Sequence, residues 1–446
     1  MALAALVMCG AVAPVLPPIA WKVKVTLMAA VLAAASLLFR AQRENTAPSE
    51  GTTRLSGLEM PAFAFLAAAL LATAFSVEPM VSFFPSRFRG EGLMVYIAYV
   101  TLALTAARLS RRDAHRVITA MLAGGVVVAL IALPQYYGVD ILRALGFRSM
   151  PLTFFGANPV QLRLDSVWIG LRAQGTLGNP IFLGALATLL LPLAVVLMLH
   201  ARGPAVWAYG GAAVMLYAAL VTSQTRSAWI GAAAGGLILV WLMPKTSVSW
   251  RRATLLAAGF VVVTAVLVLT HPQALLTQRL SSAVDTKDYS LRQKLYVWKH
   301  TLPLIAQRPV QGWGFSTLVG QFKDIGSPEY LQVFGSKEIV LVDSPHNELL
   351  HVAYSAGLLG LAAYAWLWAA AVGGIRRALR DRPEAPRDAS STSTIAAGLA
   401  AALTGYGVWM QFGWSMIGPA NVLWVVLGLA VAAGAAHPDS GGPPTA

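Results

Sequence analysis

The segment from Asp343 to Glu348 lies near the end of the only long hydrophilic interruption in a very apolar chain, immediately before a membrane-length apolar run. Its His346 could exchange a proton near neutral pH at a membrane surface, as a general base does. A helix that begins at Ser344-Pro345 would hold the imidazole ring in a fixed position. The positive end of the helix dipole would then lie beside the ring and favour its neutral form. The pattern is equally typical of a plain helix start, with Ser344 as the cap and His346 incidental.

Two arginines are placed where they could bind phosphate. Arg226 lies in a polar interruption, residues 222–227, between two apolar runs, and a charge at this depth is costly unless an anion or a polar pocket receives it. Arg292 lies in the long hydrophilic segment. Two guanidinium groups from separate elements can clamp both halves of a pyrophosphate through paired hydrogen bonds. Snorkelling of Arg226 to the interface is the alternative.

The elements that must position these side chains are apolar helices. The chain has 446 residues, of which 57% are hydrophobic and 12% charged, a composition that predicts a bundle of transmembrane helices. About twelve runs are long enough to cross a hydrocarbon core, and their uniform apolarity argues against the alternating strands of a β-barrel. The predicted fold is all-α, with runs at residues 2–20, 25–39, 60–76, 92–108, 117–134, 180–199, 206–223, 227–243, 253–270, 349–373, 394–411 and 419–436.

The charge of the loops predicts the orientation, because short loops rich in Lys and Arg stay in the cytoplasm. Four such loops fall on one face, which places both termini in the cytoplasm and the segments 77–91, 135–179 and 271–347 outside. The predicted organisation is transmembrane helices 1–9 over residues 1–270, an outer loop domain over 271–347, helices 10–12 over 348–436 and a flexible cytoplasmic tail over 437–446.

The outer loop contains one amphipathic stretch. Residues 290–307 carry apolar side chains at helical spacing, accompanied by Arg292, Lys294 and Lys299. We predict a cationic amphipathic helix that lies along the membrane interface and bends at Pro303. Simple anchoring to the surface is an equally open role.

Several segments, in this order, resemble the bacterial O-antigen ligase and O-antigen polymerase superfamily. Two softer matches, Arg89 to Leu93 and Arg172 to Pro180, resemble segments that recur in ligase-like members. The main matches are Thr225-Arg226-Ser227-Ala228-Trp229, Ser290-Leu291-Arg292 with Trp298, Arg308-Pro309-Val310-Gln311-Gly312-Trp313-Gly314-Phe315, and Ser344-Pro345-His346-Asn347-Glu348-Leu349-Leu350 continuing to Gly357-Leu358-Leu359-Gly360.

The resemblance implies a GT-C-like glycosyltransferase of the bacterial inner membrane, with about 12 transmembrane helices and one large periplasmic loop. It implies that a glycan carried on undecaprenyl pyrophosphate is transferred, with inversion and without metal or cofactor, to a hydroxyl of lipid A-core or a similar glycolipid at the periplasmic face. His346 would be the catalytic base, and Arg226 and Arg292 would bind the pyrophosphate. Arg172 and Arg89 are further candidates for the same anion site, although surface roles are open for both.

Other functions fit the sequence less well. A polymerase or a protein O-oligosaccharyltransferase would use similar chemistry on a different acceptor. A transporter or flippase of lipid-linked glycans would bind the same anions but usually carries ionisable residues near the bilayer midplane. A nucleotide-sugar transferase is disfavoured because the chain has no Asp-x-Asp motif. Nucleic-acid binding is set aside, although the sequence pI is near 10.2, because the basic residues are divided between two membrane faces.

Some neighbours of His346 also have predicted roles. Asp343 and Glu348 could orient the ring or act as dipole partners at a helix start. His351 is predicted to be structural because it lies five residues beyond His346, on a different side of the helix. The other histidines have no partners that would make a metal site.

Overall fold

A computed structural model describes residues 57–84, 90–144, 151–152, 160–161, 172–243, 249–271, 289–322, 327–334, 342–380, 391–414 and 416–435. Within these ranges the chain is helical apart from one two-residue antiparallel ladder, which confirms the all-α class. The elements are α1 (Glu59–Ala74), α2 (Pro79–Phe83), α3 (Leu93–Ala106), α4 (Arg111–Tyr136), α5 (Ile141–Ala144), β1 (Pro151–Leu152), β2 (Val160–Gln161), α6 (Pro180–His200), α7 (Ala205–Thr222), α8 (Arg226–Leu242), α9 (Trp250–Thr270), α10 (Tyr289–Gln307), α11 (Leu318–Gln321), α12 (Pro328–Phe334), α13 (Glu348–Arg380), α14 (Thr392–Trp409) and α15 (Ile417–Ala433).

The predicted apolar runs from 60–76 onward all fall on helices. Of the described helices, five are long and apolar enough to span a membrane, namely α4, α6, α7, α9 and α13. Four shorter helices, α1, α3, α8 and α15, are apolar as well. The predicted runs 2–20 and 25–39 lie outside the described residues, so the count of about twelve spans stays a prediction.

The helices pack in two groups. One contains α1, α3, α13 and α15, and the other contains α4, α6, α7, α8, α9 and α14. Helix α14 joins the groups through α13 and α15, and its Trp409 is fully buried, as is Trp424 of α15. Helices α8 and α14 approach closely, because a side chain on Gly231 or Gly405 would collide with the backbone of the other helix. Small residues permit such backbone contact between apolar helices.

Contacts between helix ends show which ends lie together. The Tyr137 hydroxyl, just beyond α4, is 2.7 Å from Thr270 Oγ1 at the end of α9. At the opposite end of the bundle, Tyr209 of α7 lies 3.1 Å from His115 Nε2 of α4. We call the end with Tyr137 and Thr270 the site end. The assignment of this end to the outer face of the membrane stays a prediction.

Helix α13 is interrupted at Gly357, whose φ of 67° is left-handed. The carbonyls of Tyr354 and Ser355 accept hydrogen bonds from the Trp313 and Gly314 N–H groups, at 2.9 and 3.0 Å. The Leu358 N–H donates to the Pro309 carbonyl at 2.7 Å. Residues 309–314, which we call the docking segment, therefore satisfy the backbone groups that the break exposes, as an apolar environment demands.

The docking segment and the residues on either side of it, Arg308 and Phe315, also contact the end of α1 and α2. The Ser76 hydroxyl donates to the Trp313 carbonyl at 3.1 Å, and the Ser82 hydroxyl donates to the Phe315 carbonyl at 3.1 Å. Arg308 donates to the Phe75 carbonyl at 3.0 Å. Three distant parts of the chain thus meet at the break in α13.

The predicted amphipathic helix over residues 290–307 is confirmed as α10. One of its faces buries Tyr296 and Val297 against Tyr330 of α12 and other apolar side chains. Leu295 and Leu302 are exposed on another face. Whether that exposed face rests on the membrane interface stays a prediction.

Gly314→Ala is predicted to destabilise the protein strongly. Its φ of 99° is strained for any other residue, and a Cβ there would overlap the hydroxyls of Ser76 and Ser82. Backbone strain of this kind costs about 1–3 kcal/mol before the overlap is counted. We expect a clear fall in the thermal unfolding midpoint, followed by intrinsic fluorescence in detergent.

Gly211→Ala is the matched control, because a Cβ at this position on α7 meets nothing within 4 Å. Alanine in a helix interior is at least as favourable as glycine, so its midpoint should not fall. Equal midpoints for the two variants would contradict the role given to the docking segment.

Candidate functional site

Helix α13 begins at Glu348, so the predicted helix start at Ser344-Pro345 is wrong. The Asn347 side chain caps the helix by accepting a hydrogen bond from the Leu350 N–H at 3.0 Å. His346 has a left-handed φ of 52°, which an α-helix cannot contain, and its N–H donates to the Ser344 hydroxyl at 3.0 Å. The histidine thus stands just outside the helix, in a tight turn.

The His346 ring is half-buried and packs edge-on against Trp414, with ring centroids 4.2 Å apart. The residues on either side are also held. Trp298 of α10 donates its indole N–H to the Pro345 carbonyl at 2.7 Å. The Asn347 amide donates to the Gln411 carbonyl, beyond the end of α14, at 3.0 Å. The turn is therefore fixed between the amphipathic helix and the α14–α15 loop.

A continuous path of contacts leads from His346 to the start of α8. Trp414 packs edge-on against Phe182 in the first turn of α6, with centroids 5.4 Å apart. The Pro180 carbonyl, two residues earlier, accepts a hydrogen bond from the Thr225 hydroxyl at 3.1 Å. Arg226 follows directly as the first residue of α8 and is half-buried. The structure therefore brings the elements that carry His346 and Arg226 together at the site end.

Arg172 supports the turn that precedes Arg226. Its Nε donates to the Ser223 carbonyl at 2.9 Å and its Nη2 donates to the Thr225 hydroxyl at 3.0 Å. Arg172 is buried, so a surface role for it is wrong. The strained turn it braces includes Gln224, which has a left-handed φ of 48°. Two nitrogens of this guanidinium, Nε and Nη2, thus donate hydrogen bonds to the protein itself. A role of Arg172 in anion binding stays a prediction.

The two basic residues near the start of α10 lie on different faces. Lys294 is one turn before Trp298, on the face toward the His346 turn, and its Nζ lies 5.8 Å from the centroid of Phe412. Arg292 is two residues earlier, which is about 200° around a helix, and it is exposed. Lys294 is therefore the basic residue of α10 that packs beside the His346 turn, which sequence reasoning missed. Arg89 lies outside the described residues.

A buried carboxylate–imidazole pair was also missed. His351 Nε2 of α13 lies 3.0 Å from Glu91 Oε2, just before α3, and both side chains are no more than 3% exposed. His351 is thus buried away from the surface. The only signal in the sequence was an acidic residue beside an apolar run, within the segment from Arg89 to Leu93. The separation of 260 residues gives no local clue that the two side chains meet.

An apolar groove of about 530 Å³ lies between α6, α7, α8 and α9. Trp229, one turn after Arg226, lines it and donates its indole N–H to the Leu220 carbonyl at 3.0 Å. The groove continues along α8 to Val240, a rise of about 16 Å. Its wall is therefore continuous with the helix whose first residue is Arg226.

The histidines and acids of the described ranges form no group of three or more that could hold a metal ion. Glu348 is buried in the first turn of α13, where its own N–H donates to the Met410 carbonyl at 2.9 Å. Its position at the positive end of the helix fits a dipole partner.

Residues 210–365 match the family model described as O-Antigen ligase. This stretch of the chain is similar to the O-antigen ligase family. This range contains Arg226, Arg292, the docking segment and His346, so the resemblance found in the motifs is confirmed. The family match and the apolar helices together indicate a multi-pass membrane protein.

A protein of Rickettsia prowazekii (strain Madrid E), named "Putative polysaccharide ligase RP358", is 25% identical over 152 residues. The matched stretch covers 34% of the O-antigen ligase-like chain and 36% of that relative. The chain thus matches about a third of the relative's length, and the activity of the whole protein is a matter for proposal.

Arg172→Ala is predicted to lower stability, because it leaves the Ser223 carbonyl and the Thr225 hydroxyl without their buried cationic donor. Loss of buried hydrogen bonds to a charged group costs about 1.5–3 kcal/mol each. The thermal unfolding midpoint in detergent should fall by several degrees.

Exposed Arg112→Ala, at the opposite end of the bundle, is the control and should unfold as the parent does. An Arg172→Ala protein with an unchanged midpoint would contradict the bracing role and leave only a role in binding.

Proposed function

We propose that this protein is a membrane glycosyltransferase of the O-antigen ligase type. It transfers a glycan from undecaprenyl pyrophosphate to a hydroxyl of lipid A-core or a similar glycolipid, at the periplasmic face of the bacterial inner membrane. The observation that carries the proposal is the His346 turn inside the stretch that matches the O-antigen ligase family model. That turn holds a half-buried imidazole against Trp414, and contacts through α6 connect it to Thr225, the residue before the arginine that begins α8.

His346 acts as the general base in the proposed step. It takes the proton of the acceptor hydroxyl, and the oxygen attacks the anomeric carbon of the donor sugar. The bond from that carbon to the phosphate oxygen breaks as the new glycosidic bond forms, so the configuration inverts. The lipid pyrophosphate leaves with the bonding electron pair.

Arg226 and Arg292 bind the pyrophosphate and stabilise the charge that develops on it. Preorganised cationic donors commonly supply several kcal/mol of barrier lowering at such a site. The position of Arg226 as the first residue of α8 supports this role, because N–H groups and the dipole at a helix start also favour an anion. Arg292 must reach the same anion from an exposed position on α10, and Arg172 and Arg89 are candidates to extend the site.

The apolar groove supports a lipid-carried donor. A polyprenyl chain needs an apolar path that begins where its pyrophosphate is held, and Trp229 lines the groove one turn from Arg226. A donor with a soluble carrier would make no use of such a groove. The driving force for transfer comes from the phosphate–glycosyl bond of the donor, so the step as proposed needs neither a metal nor a nucleotide.

The direct test compares the parent protein with His346→Ala. Purified protein is incubated with undecaprenyl-pyrophosphate glycan, a lipid A-core acceptor and a chelator, and the product is followed by mass spectrometry. Removal of the general base should lower kcat by about 10²–10⁴-fold while donor binding is retained.

His115→Gln is the control, because His115 lies at the opposite end of the bundle and should be dispensable for transfer. Product formation by His346→Ala at the parent rate would contradict the proposal, and substrate movement across vesicles without any product would favour a lipid-glycan transporter. Extension of the donor glycan, or glycosylation of a protein acceptor, would identify a polymerase or an oligosaccharyltransferase.

Gly236→Trp is predicted to obstruct the groove, because Gly236 lines it and a Cβ there meets nothing within 4 Å. The KM for the undecaprenyl donor should rise at least several-fold. The KM for a donor analogue with a short prenyl chain should stay within about twofold, since loss of carrier contacts is loss of binding energy alone. An equal rise for both donors would exclude the groove as the site of the carrier chain.

A further inference from the structure

The buried pair of Glu91 and His351 is not used by the proposed chemistry, yet it sits close to it. Asn347 caps the helix in which His351 lies, and the His351 N–H donates to the Asn347 carbonyl at 2.9 Å. His346 is the residue before that cap. Glu91 therefore makes its contact in the first turns of the helix that follows the proposed base.

The part of α13 that contains His351 is short. It runs from Glu348 to the break at Gly357. The docking segment fixes its far end through the Tyr354 and Ser355 carbonyls. Near its first turn it is fixed by the Glu348 N–H on the Met410 carbonyl and by Glu91 on His351.

Glu91 itself is anchored. Its carbonyl accepts a hydrogen bond from the Ser316 hydroxyl at 3.3 Å, two residues beyond the docking segment. Its side chain is buried, as is that of His351. The pair thus connects the start of α3 and the chain after the docking segment to the helix start beside the proposed base.

A buried polar pair of this kind adds little net stability compared with apolar residues of similar size. Removal of one partner, however, leaves the other buried without its hydrogen bond, which is costly. In some proteins such pairs are retained because they fix one arrangement among several. Here the contact between Glu91 and His351 fixes the rotation of the segment from Glu348 to Gly357 about its helix axis and its position along that axis. A displacement of about 1 Å at a reacting group can cost as much as 10²-fold in rate.

We propose that Glu91 and His351 are positioning residues that hold the start of α13, and with it His346, in the geometry required for transfer. This inference rests on the proposed function of His346 as the base. Neither side chain touches substrate, because both are buried. Their effect on the reaction passes through Asn347 to the turn that carries the imidazole.

Glu91→Ala and Glu91→Gln distinguish positioning from a general loss of structure. Glutamine keeps an oxygen that can accept the hydrogen bond of the His351 ring, whereas alanine removes the contact. In the transfer assay Glu91→Ala should lower kcat about 10–100-fold with KM changed less than about threefold. Glu91→Gln should restore most of the lost kcat.

Glu329→Ala is the matched control. It removes another carboxylate that pairs with a basic side chain, because Glu329 of α12 lies 2.9 Å from Lys299 of α10. This ion pair is exposed, so it constrains the position of the two helices far less than a buried pair does. Its kcat should equal that of the parent. Rates are normalised to folded protein, measured by size-exclusion chromatography in detergent.

A parent-like kcat in Glu91→Ala would overturn the proposal. So would a decrease explained fully by the amount of folded protein, a rise in KM with kcat unchanged, or a Glu91→Gln variant as impaired as Glu91→Ala. A selective fall in kcat, rescued by glutamine, supports it.

A second readout needs no substrate. Diethyl pyrocarbonate modifies accessible imidazoles, and mass spectrometry gives the rate at His346 relative to His300 of α10. We expect this ratio to change at least about threefold in Glu91→Ala and to return toward the parent value in Glu91→Gln. An unchanged ratio would overturn positioning even if transfer activity is found. A changed ratio in a protein without transferase activity would overturn the proposed function and keep the positioning role.

Discussion

The structure depends on how the backbone of α13 is satisfied where the helix breaks. Inside an apolar bundle each exposed N–H or carbonyl costs several kcal/mol, so a membrane helix can be interrupted only where other parts of the chain supply partners. The docking segment supplies them to Tyr354, Ser355 and Leu358. The docking segment is held in turn by the Ser76 hydroxyl on the Trp313 carbonyl, and the adjacent Phe315 carbonyl is held by the Ser82 hydroxyl. The hydrophilic loop is thereby fixed to the helical bundle.

The site follows from that attachment. With the docking segment fixed, α10 ends at a defined point and brings Trp298 to the Pro345 carbonyl. On the other side, Trp414 connects the His346 ring to Phe182 at the start of α6. The site is consequently assembled from chain ends and loops that meet at one end of the bundle, while the helices below supply rigid support.

The charged residues near the site fall into two physical classes. Arg172 and Glu91 are buried and hydrogen-bonded to fixed protein groups, so their charges stabilise particular turns and helix starts. Arg226 is half-buried and Arg292 is exposed, and both are proposed to bind the anionic donor. Residues that support the turns and helix starts of the site are thus distinct from the residues proposed to bind the substrate. Substitution effects in the two classes should therefore differ in kind: loss of geometry for the first and loss of binding or charge stabilisation for the second.

The sequence by itself determined the all-α class, the described apolar helices, the amphipathic helix α10 and the O-antigen ligase resemblance. Those features are local, because the length of an apolar run and a helical repeat can be recognised within a few turns of chain. Only the tertiary structure decided that Asn347 and not Ser344 caps α13, that Arg172 is buried, and that Glu91 meets His351. Each of these depends on a partner or a backbone conformation set by residues far along the chain, and side-chain type does not reveal such contacts before the helices pack.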